Sequence, residues 1–232
     1  MIKMKNMIGL LHKIAEPAKN ARLKSTNSRQ KSLGQSLVEF GVALPILILL
    51  FSGMVEFGFM LNTYLSLQDA VRTAARRYSN ENPLMKVNGV VEDDITFYEG
   101  AAQNVVDALD LNAKQIVVDP TRDNVLISVL TVRVDEDADP DAIESITRHP
   151  EDAEFFRLYS DTSPNSIYGD VEIADYLTSN NSVPVDMGLL IIEVFYSYEG
   201  VLHLPWTEPF FSEANPTMLY NSTIIPLVAV KP

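Results

Sequence analysis

Cysteine is absent from the 232 residues. That removes disulfides, zinc ribbons and thiol chemistry together, yet leaves the compartment open, because exported proteins also lack it. Histidine is scarce: His12, His149 and His203 are scattered along the chain. Catalysis needs groups that converge, so each reads as a surface residue. No phosphate-binding glycine loop, metalloprotease helix or nucleophile elbow occurs, and no cofactor is implied. Cations are outnumbered, 18 against 31 anions, for a net charge of −13. Such a balance argues against nucleic-acid binding by the whole chain. Charge is wholly missing from residues 40–55.

That gap lies in an apolar run, residues 40–61, FGVALPILILLFSGMVEFGFML. At ~1.5 Å per residue a helix of this length spans about 33 Å, enough for a hydrocarbon core. A buried helix of a soluble protein would keep a polar stripe, and none precedes Glu56. A cleavable secretory signal has an h-region of only ~7–15 residues and a small-residue cut site, which the chain does not display. The run therefore reads as a retained membrane helix, kinked or strained at Pro45.

Charge divides across it. Residues 1–34 hold eight cations and one anion, Glu16. The remainder is acidic, which predicts a cytoplasmic N-terminus and an external C-terminal bulk. Within the leader, Met4, Met7, Ile8, Leu11 and Ile14 fall at helical spacing among lysines, a pattern suited either to a helix on an anionic leaflet or to a basic tail.

Two carboxylates interrupt the apolar pattern. Glu39 opens the run, where a charge is costly unless paired or interfacial. Glu56 lies near the far end, with headgroup water, Arg72 or an arginine of another subunit as expected partners. Gly41, Gly53 and Gly58 offer small surfaces for helix approach, although Gly53 and Gly58 are not spaced as GxxxG.

Beyond the run the helix is expected to continue over Asn62–Ser79, with Leu65, Ala70, Ala74 and Ala75 on its apolar side and a stop at Asn80–Pro83. A second helix is expected at about 95–111 behind the acidic Glu92-Asp93-Asp94. Strands are expected at 114–119, 124–134, 187–199 and 221–230, with a hairpin loop at Asp119–Asn124. The reading is an α+β fold: a long N-terminal transmembrane helix continuing into a stalk, then a small head with a helix packed on one side of an antiparallel sheet of about four strands. Its parts are a basic leader (1–34), the membrane helix and stalk (35–80), and a head (81–232) interrupted by an acidic insertion, 135–186, with short helices near 140–147 and 151–159. In the insertion, Asp135, Asp137 and Asp139 form a weak calcium candidate that fails the EF-hand template, because Pro140 replaces its glycine. The aromatic segment VLHLPWTEPFF at 201–211 reads as local packing or a partner-facing patch.

One constellation is more specific. A basic leader ends in Lys31-Ser32-Leu33-Gly34, followed by Gln35-Ser36-Leu37-Val38-Glu39-Phe40 and the apolar helix. It resembles the class III signal of type IV prepilins. The stretch GQSLVEFGVALPILILLFSGMVEFGFMLNTYLSLQDAVRTAAR is similar to the TadE-like pseudopilins of prokaryotic tight-adherence (Tad, Flp) pilus systems, with family-like features again in IIEVFYSYEGVLHLP. The resemblance implies cleavage after Gly34 by a prepilin peptidase, Gln35 as the new N-terminus, and Glu39 as the +5 carboxylate neutralised by a neighbour's ammonium. It also implies that Phe40, Gly41, Pro45, Gly53, Glu56 and Gly58 pack against other pilin or pseudopilin helices. A single-pass protein of the cytoplasmic (inner) membrane would follow, meeting the pilus assembly platform and performing no catalysis. An uncleaved surface or adhesion domain, or an anchored exported hydrolase, are the alternatives.

Overall fold

The computed structural model describes residues 3–112, 116–135, 137, 142–151, 153–159, 164–179 and 186–228, with backbone alone for 3–33, Asn112 and Ala142. The chain divides into two compact units, Met1–Val55 and Glu56–Pro232. Helix α1, Lys3–Tyr78, supplies all the described structure of the first and opens the second. Pro45 sits inside it without ending it. The pyrrolidine nitrogen has no proton to offer the carbonyl of Gly41, a loss that membrane helices tolerate. Side chains of the basic leader, including the proposed apolar face and His12, lie outside the described residues.

In the second unit α1 becomes amphipathic. Thr63, Leu67, Ala70, Val71, Ala74, Ala75 and Tyr78 are buried at three- and four-residue intervals. Leu65, expected on this face, is instead half exposed. Stepping back from Ala74 by helical turns reaches Ala70, Leu67 and Thr63, and passes over it.

A hairpin that the sequence reading did not anticipate follows, β1 (Leu84–Val87) and β2 (Val90–Asp93). Its two-residue loop is Asn88-Gly89, both at positive φ (53° and 87°), as a primed turn requires. Helix α2, Ile95–Asn112, is capped by Asp94, whose Oδ1 accepts from the Thr96 amide at 3.0 Å. This satisfies one of the free amides of the first turn. The strand expected at 114–119 is not formed over 116–119; Ile116 is buried by packing without joining a ladder.

The sheet runs β4-β3-β6-β7, antiparallel throughout, with β5 beside β4 on the same edge of β3. Its strands are β3 (Asn124–Asp135), β4 (Ala142–His149), β5 (Phe156–Arg157), β6 (Met187–Tyr198) and β7 (Thr217–Leu227). Three lie close to the expected positions. The short helices expected near 140–147 and 151–159 are replaced by β4 and β5. The reason is non-local: β3 offers a free edge, and Ile143, Ile146 and Thr147 are β-branched residues suited to it. A later helix, α3 (Asp170–Ser179), completes the set.

Both faces of the sheet are covered: α1 and α2 pack on one, as expected for the head, and α3 adds a cover on the other. Val125, Ile127 and Val129 of β3, with Leu190, Ile192 and Val194 of β6, meet the buried faces of α1 and α2. Alternate residues Leu130, Val132, Leu189 and Ile191 meet Ile173 of α3 on the other side. The period-2 geometry of strands therefore serves two cores from the same two segments. His149, expected at the surface, is buried, with Nδ1 3.1 Å from Asp93 Oδ1.

Six phenols, at Tyr78, Tyr98, Tyr159, Tyr196, Tyr198 and Tyr220, are held above the ordinary tyrosine value of 10, in each case chiefly by burial. A group whose folded value is raised stabilises the fold fully below its unfolded value, and that contribution is lost as pH rises through the folded value. The head should therefore lose stability above about pH 10. These phenols should ionise together with unfolding when tyrosinate absorbance and circular dichroism are followed in parallel. Their free ionisation near pH 10 in a folded head would contradict this.

Candidate functional site

The candidate residues fall into two groups. Gly34, Gln35, Glu39, Phe40, Gly41, Pro45 and Gly53 belong to the first unit, and Glu56 and Gly58 to the second. Residues 34–51 are all exposed in the isolated chain, including Leu37, Val38, Ile46, Leu47, Leu50 and Phe51. Eighteen successive exposed positions of this composition are incompatible with a water-facing surface. The helix over Gly34–Tyr78 is long and apolar enough to cross a membrane, which suggests single-pass anchoring.

At the start of this stretch Gln35 donates from Nε2 to Glu39 Oε1 at 3.1 Å, one helical turn away, with both side chains exposed. Around Gly34, Gly41, Gly53 and Gly58, a side-chain carbon would meet nothing within 4 Å. Nothing in the fold itself demands glycine there, and each leaves the helix backbone approachable by another chain.

Glu56 is placed differently from expectation. It is buried, at 1% exposure, and Arg72 is exposed. Its partners come from the far end of the sheet. Tyr198, the last residue of β6, donates its hydroxyl to Oε1 at 2.6 Å. The amides of Val201 and Leu202 donate to Oε1 and Oε2 at 2.7 and 3.0 Å. Gly200 makes this possible. Its φ of +83° turns the chain sharply after β6, and a side-chain carbon would sit 2.9 Å from Phe211 Cβ and 3.2 Å from Glu56 Oε1. Phe211 closes the arrangement, edge-on to both Phe57 and Tyr198, at ring distances of 6.3 and 5.9 Å. The carboxylate thus ties α1 to the 198–202 turn. A carboxylate inside an apolar run signals that some polar partner exists. Nothing in the sequence identifies a tyrosine 142 positions later as that partner.

Among the described residues no group of three or more side chains is arranged to hold a metal ion. Asp135 Oδ1 accepts the Asp137 amide at 3.0 Å, a local turn, and Asp139 lies outside the described residues. A cleft of about 610 Å³ lies beside the Glu56 anchor, lined by Phe59, Thr63, Asp119, Arg122, Asp123 and Glu199 among others. Its charged groups are held by hydrogen bonds and ion pairs. Asp123 accepts the amides of Asp119 and Ser197 at 2.8 and 2.7 Å, and Arg122 pairs with Asp119 and Glu199. Burial raises the Asp123 carboxyl above its ordinary value.

Removing the Tyr198 hydroxyl (Tyr198→Phe) should destabilise the full chain in detergent by about 1.5–3 kcal/mol, the range for a hydrogen bond to a charged group. Chemical denaturation followed by circular dichroism measures it. A change within experimental error would show that the two amides alone satisfy Glu56.

Searches of curated proteins and of solved structures find no match. The stretch that carries Gly34, Glu39, the exposed apolar helix and Glu56 is recognised, however: residues 34–76 match the family model described as TadE-like protein, and this segment of the chain is TadE-like.

Proposed function

We propose that the chain is a pseudopilin-like component of Tad (Flp) pilus assembly, cleaved after Gly34 by a prepilin peptidase. The observation that carries this reading is the TadE-like match over residues 34–76, which starts at the glycine of the processing motif. That family is one of pilus components and not a known enzyme family. The cationic leader stays in the cytoplasm, and the acidic head lies outside the cytoplasmic membrane. Cleavage frees the amine of Gln35 and leaves Glu39 four residues into a helix of exposed apolar side chains.

The protein's work is then packing. Its exposed helix is covered by lipid before assembly and by other pilin or pseudopilin helices after it, with the assembly platform as the meeting place. Gly41, Gly53 and Gly58, and the unbonded carbonyl near Pro45, lie on surfaces that admit a neighbouring backbone. Of the two carboxylates in this region, Glu56 is already satisfied within its own chain. Among the described residues Glu39 is bonded by the neutral amide of Gln35 and by no cation, so it is the group whose charge calls for a neighbour's ammonium, and that pairing sets the axial register of the helices.

Expressed with an active prepilin peptidase, the wild-type chain should yield a mature form beginning at Gln35. Gly34→Ala should retain the leader while still inserting in the membrane. A mature form that still begins at Met1 would favour an uncleaved surface or adhesion domain. Glu39→Ala should be cleaved normally and should fail to assemble; normal piliation would remove the register role of the carboxylate.

A further inference from the structure

The segment after β6 carries its own apolar surface, at a definite height along α1. Glu56 holds the Val201 and Leu202 amides, and it lies five residues before Leu61, the end of the apolar run. At ~1.5 Å per residue, the bonded turn sits about 7 Å inside that end, measured along the helix. Membrane depth assigned to this part of α1 is therefore assigned to the loop as well, because the two are joined by two hydrogen bonds and a ring contact, with Tyr198 at the end of β6 adding a third bond.

The loop is built accordingly. Amides of Glu208 and Phe211 donate to the carbonyls of Leu204 and Thr207, closing two successive helical-type turns at 3.0 Å each. Residues four apart in such turns share a side, which puts Trp206 with Phe210. Phe210 contacts Phe211, which in turn contacts Phe57 on α1. Phe57, Trp206, Phe210 and Val201 are 59%, 40%, 66% and 50% exposed. Carboxylates of the same segment, at Glu199, Glu208 and Glu213, gather instead along a separate groove with His203 and Ser212. One side is therefore aromatic and aliphatic, and the other acidic.

We propose that the aromatic side of the 201–211 loop is a membrane-docking lip. It inserts Trp206 and Phe210 into the headgroup and upper acyl region of the outer leaflet beside the exit of α1. This rests on the reading of residues 40–61 as a membrane span. The occupant is lipid because the lip continues the lipid-facing surface of α1 at Phe57, below the end of the apolar run. The amphipathic indole of Trp206 suits that zone, and the wholly apolar ring of Phe210 suits the acyl side of it. The attraction is apolar rather than electrostatic, since the loop carries Glu208 and is flanked by Glu199 and Glu213, with no Lys or Arg among residues 199–213 to attract anionic headgroups. The lip and the Glu56 bonds together hold the head against the bilayer surface at a defined height, and extraction of α1 into a filament would require the lip to leave the lipid.

The chain contains a single tryptophan, so its fluorescence reports Trp206 alone. The full chain is reconstituted in zwitterionic vesicles with phospholipids brominated either near the carbonyl end of the acyl chain or near its methyl end. Expected are strong quenching by the shallow bromines, weaker quenching by the deep ones, poor access to aqueous iodide, and little dependence on salt. Phe210→Asp, a surface change that leaves the core intact, should lose most of the bromolipid quenching. Full iodide access without bromolipid quenching would overturn the proposal. Shielding from both would also overturn it, in favour of a protein cover. A fluorophore on Ile48→Cys, in this cysteine-free chain, reports the span separately. Its burial in lipid with Trp206 in water sinks the lip alone, whereas its exposure to water sinks the span on which the lip rests.

Discussion

A carboxylate inside an apolar helix must find polar partners or remain in water, and the second unit is organised around the way Glu56 does so. A charged side chain among apolar helix residues carries a desolvation cost, smaller near the end of a membrane span, where Glu56 lies, than at its centre. A hydrogen bond to a charged group contributes about 1.5–3 kcal/mol. Three such bonds, from Tyr198 and the amides of Val201 and Leu202, are enough to offset the cost. They come from a strand end and a turn, so the sheet must be in place for the helix to be satisfied. The sheet, in turn, buries Val125, Ile127 and Ile192 only if α1 and α2 lie on it.

The same logic separates the two acids of the TadE-like segment. Glu56 is spent on the fold, and Glu39 lies on a helix surface with one neutral partner from its own turn. In the proposed assembly each subunit therefore presents, at the Gly34 end of the run, one carboxylate that a neighbour can compensate. Steric freedom around Gly41 and Gly53 leaves that neighbour room to approach. Around the cleft beside Tyr198, Asp123 holds the amides of Asp119 and Ser197, and Arg122 pairs with Asp119.

Periodicity made the helices and the long strands legible. The 3.6-residue spacing of α2 and the β-branched runs at 124–135 and 187–198 are local signals, and Asp94 caps α2 where an acid was noted. The Asn88-Gly89 turn is an equally local signal, a two-residue loop with positive φ at both positions that pairs two four-residue strands. The errors at 142–149 and 156–157 have another origin. Short segments with mixed propensity take the conformation of the edge that receives them, and β3 offered one. His149 shows the same dependence at one side chain, since its burial follows from β4 lying against Asp93.

Composition and order along the chain were sufficient to establish an apolar helix of membrane-spanning length, a basic leader before it, an acidic body after it, and the Gly34–Glu39 motif at the junction. These are properties of contiguous residues, and contiguity survives in any fold. Only the tertiary structure decided that α3 covers the second face of the sheet, that Glu56 is held by Tyr198, and that the aromatic loop lies beside the end of the apolar run. Each of those joins residues far apart in the chain, and their meeting is set by the packing of whole elements, which no local pattern encodes.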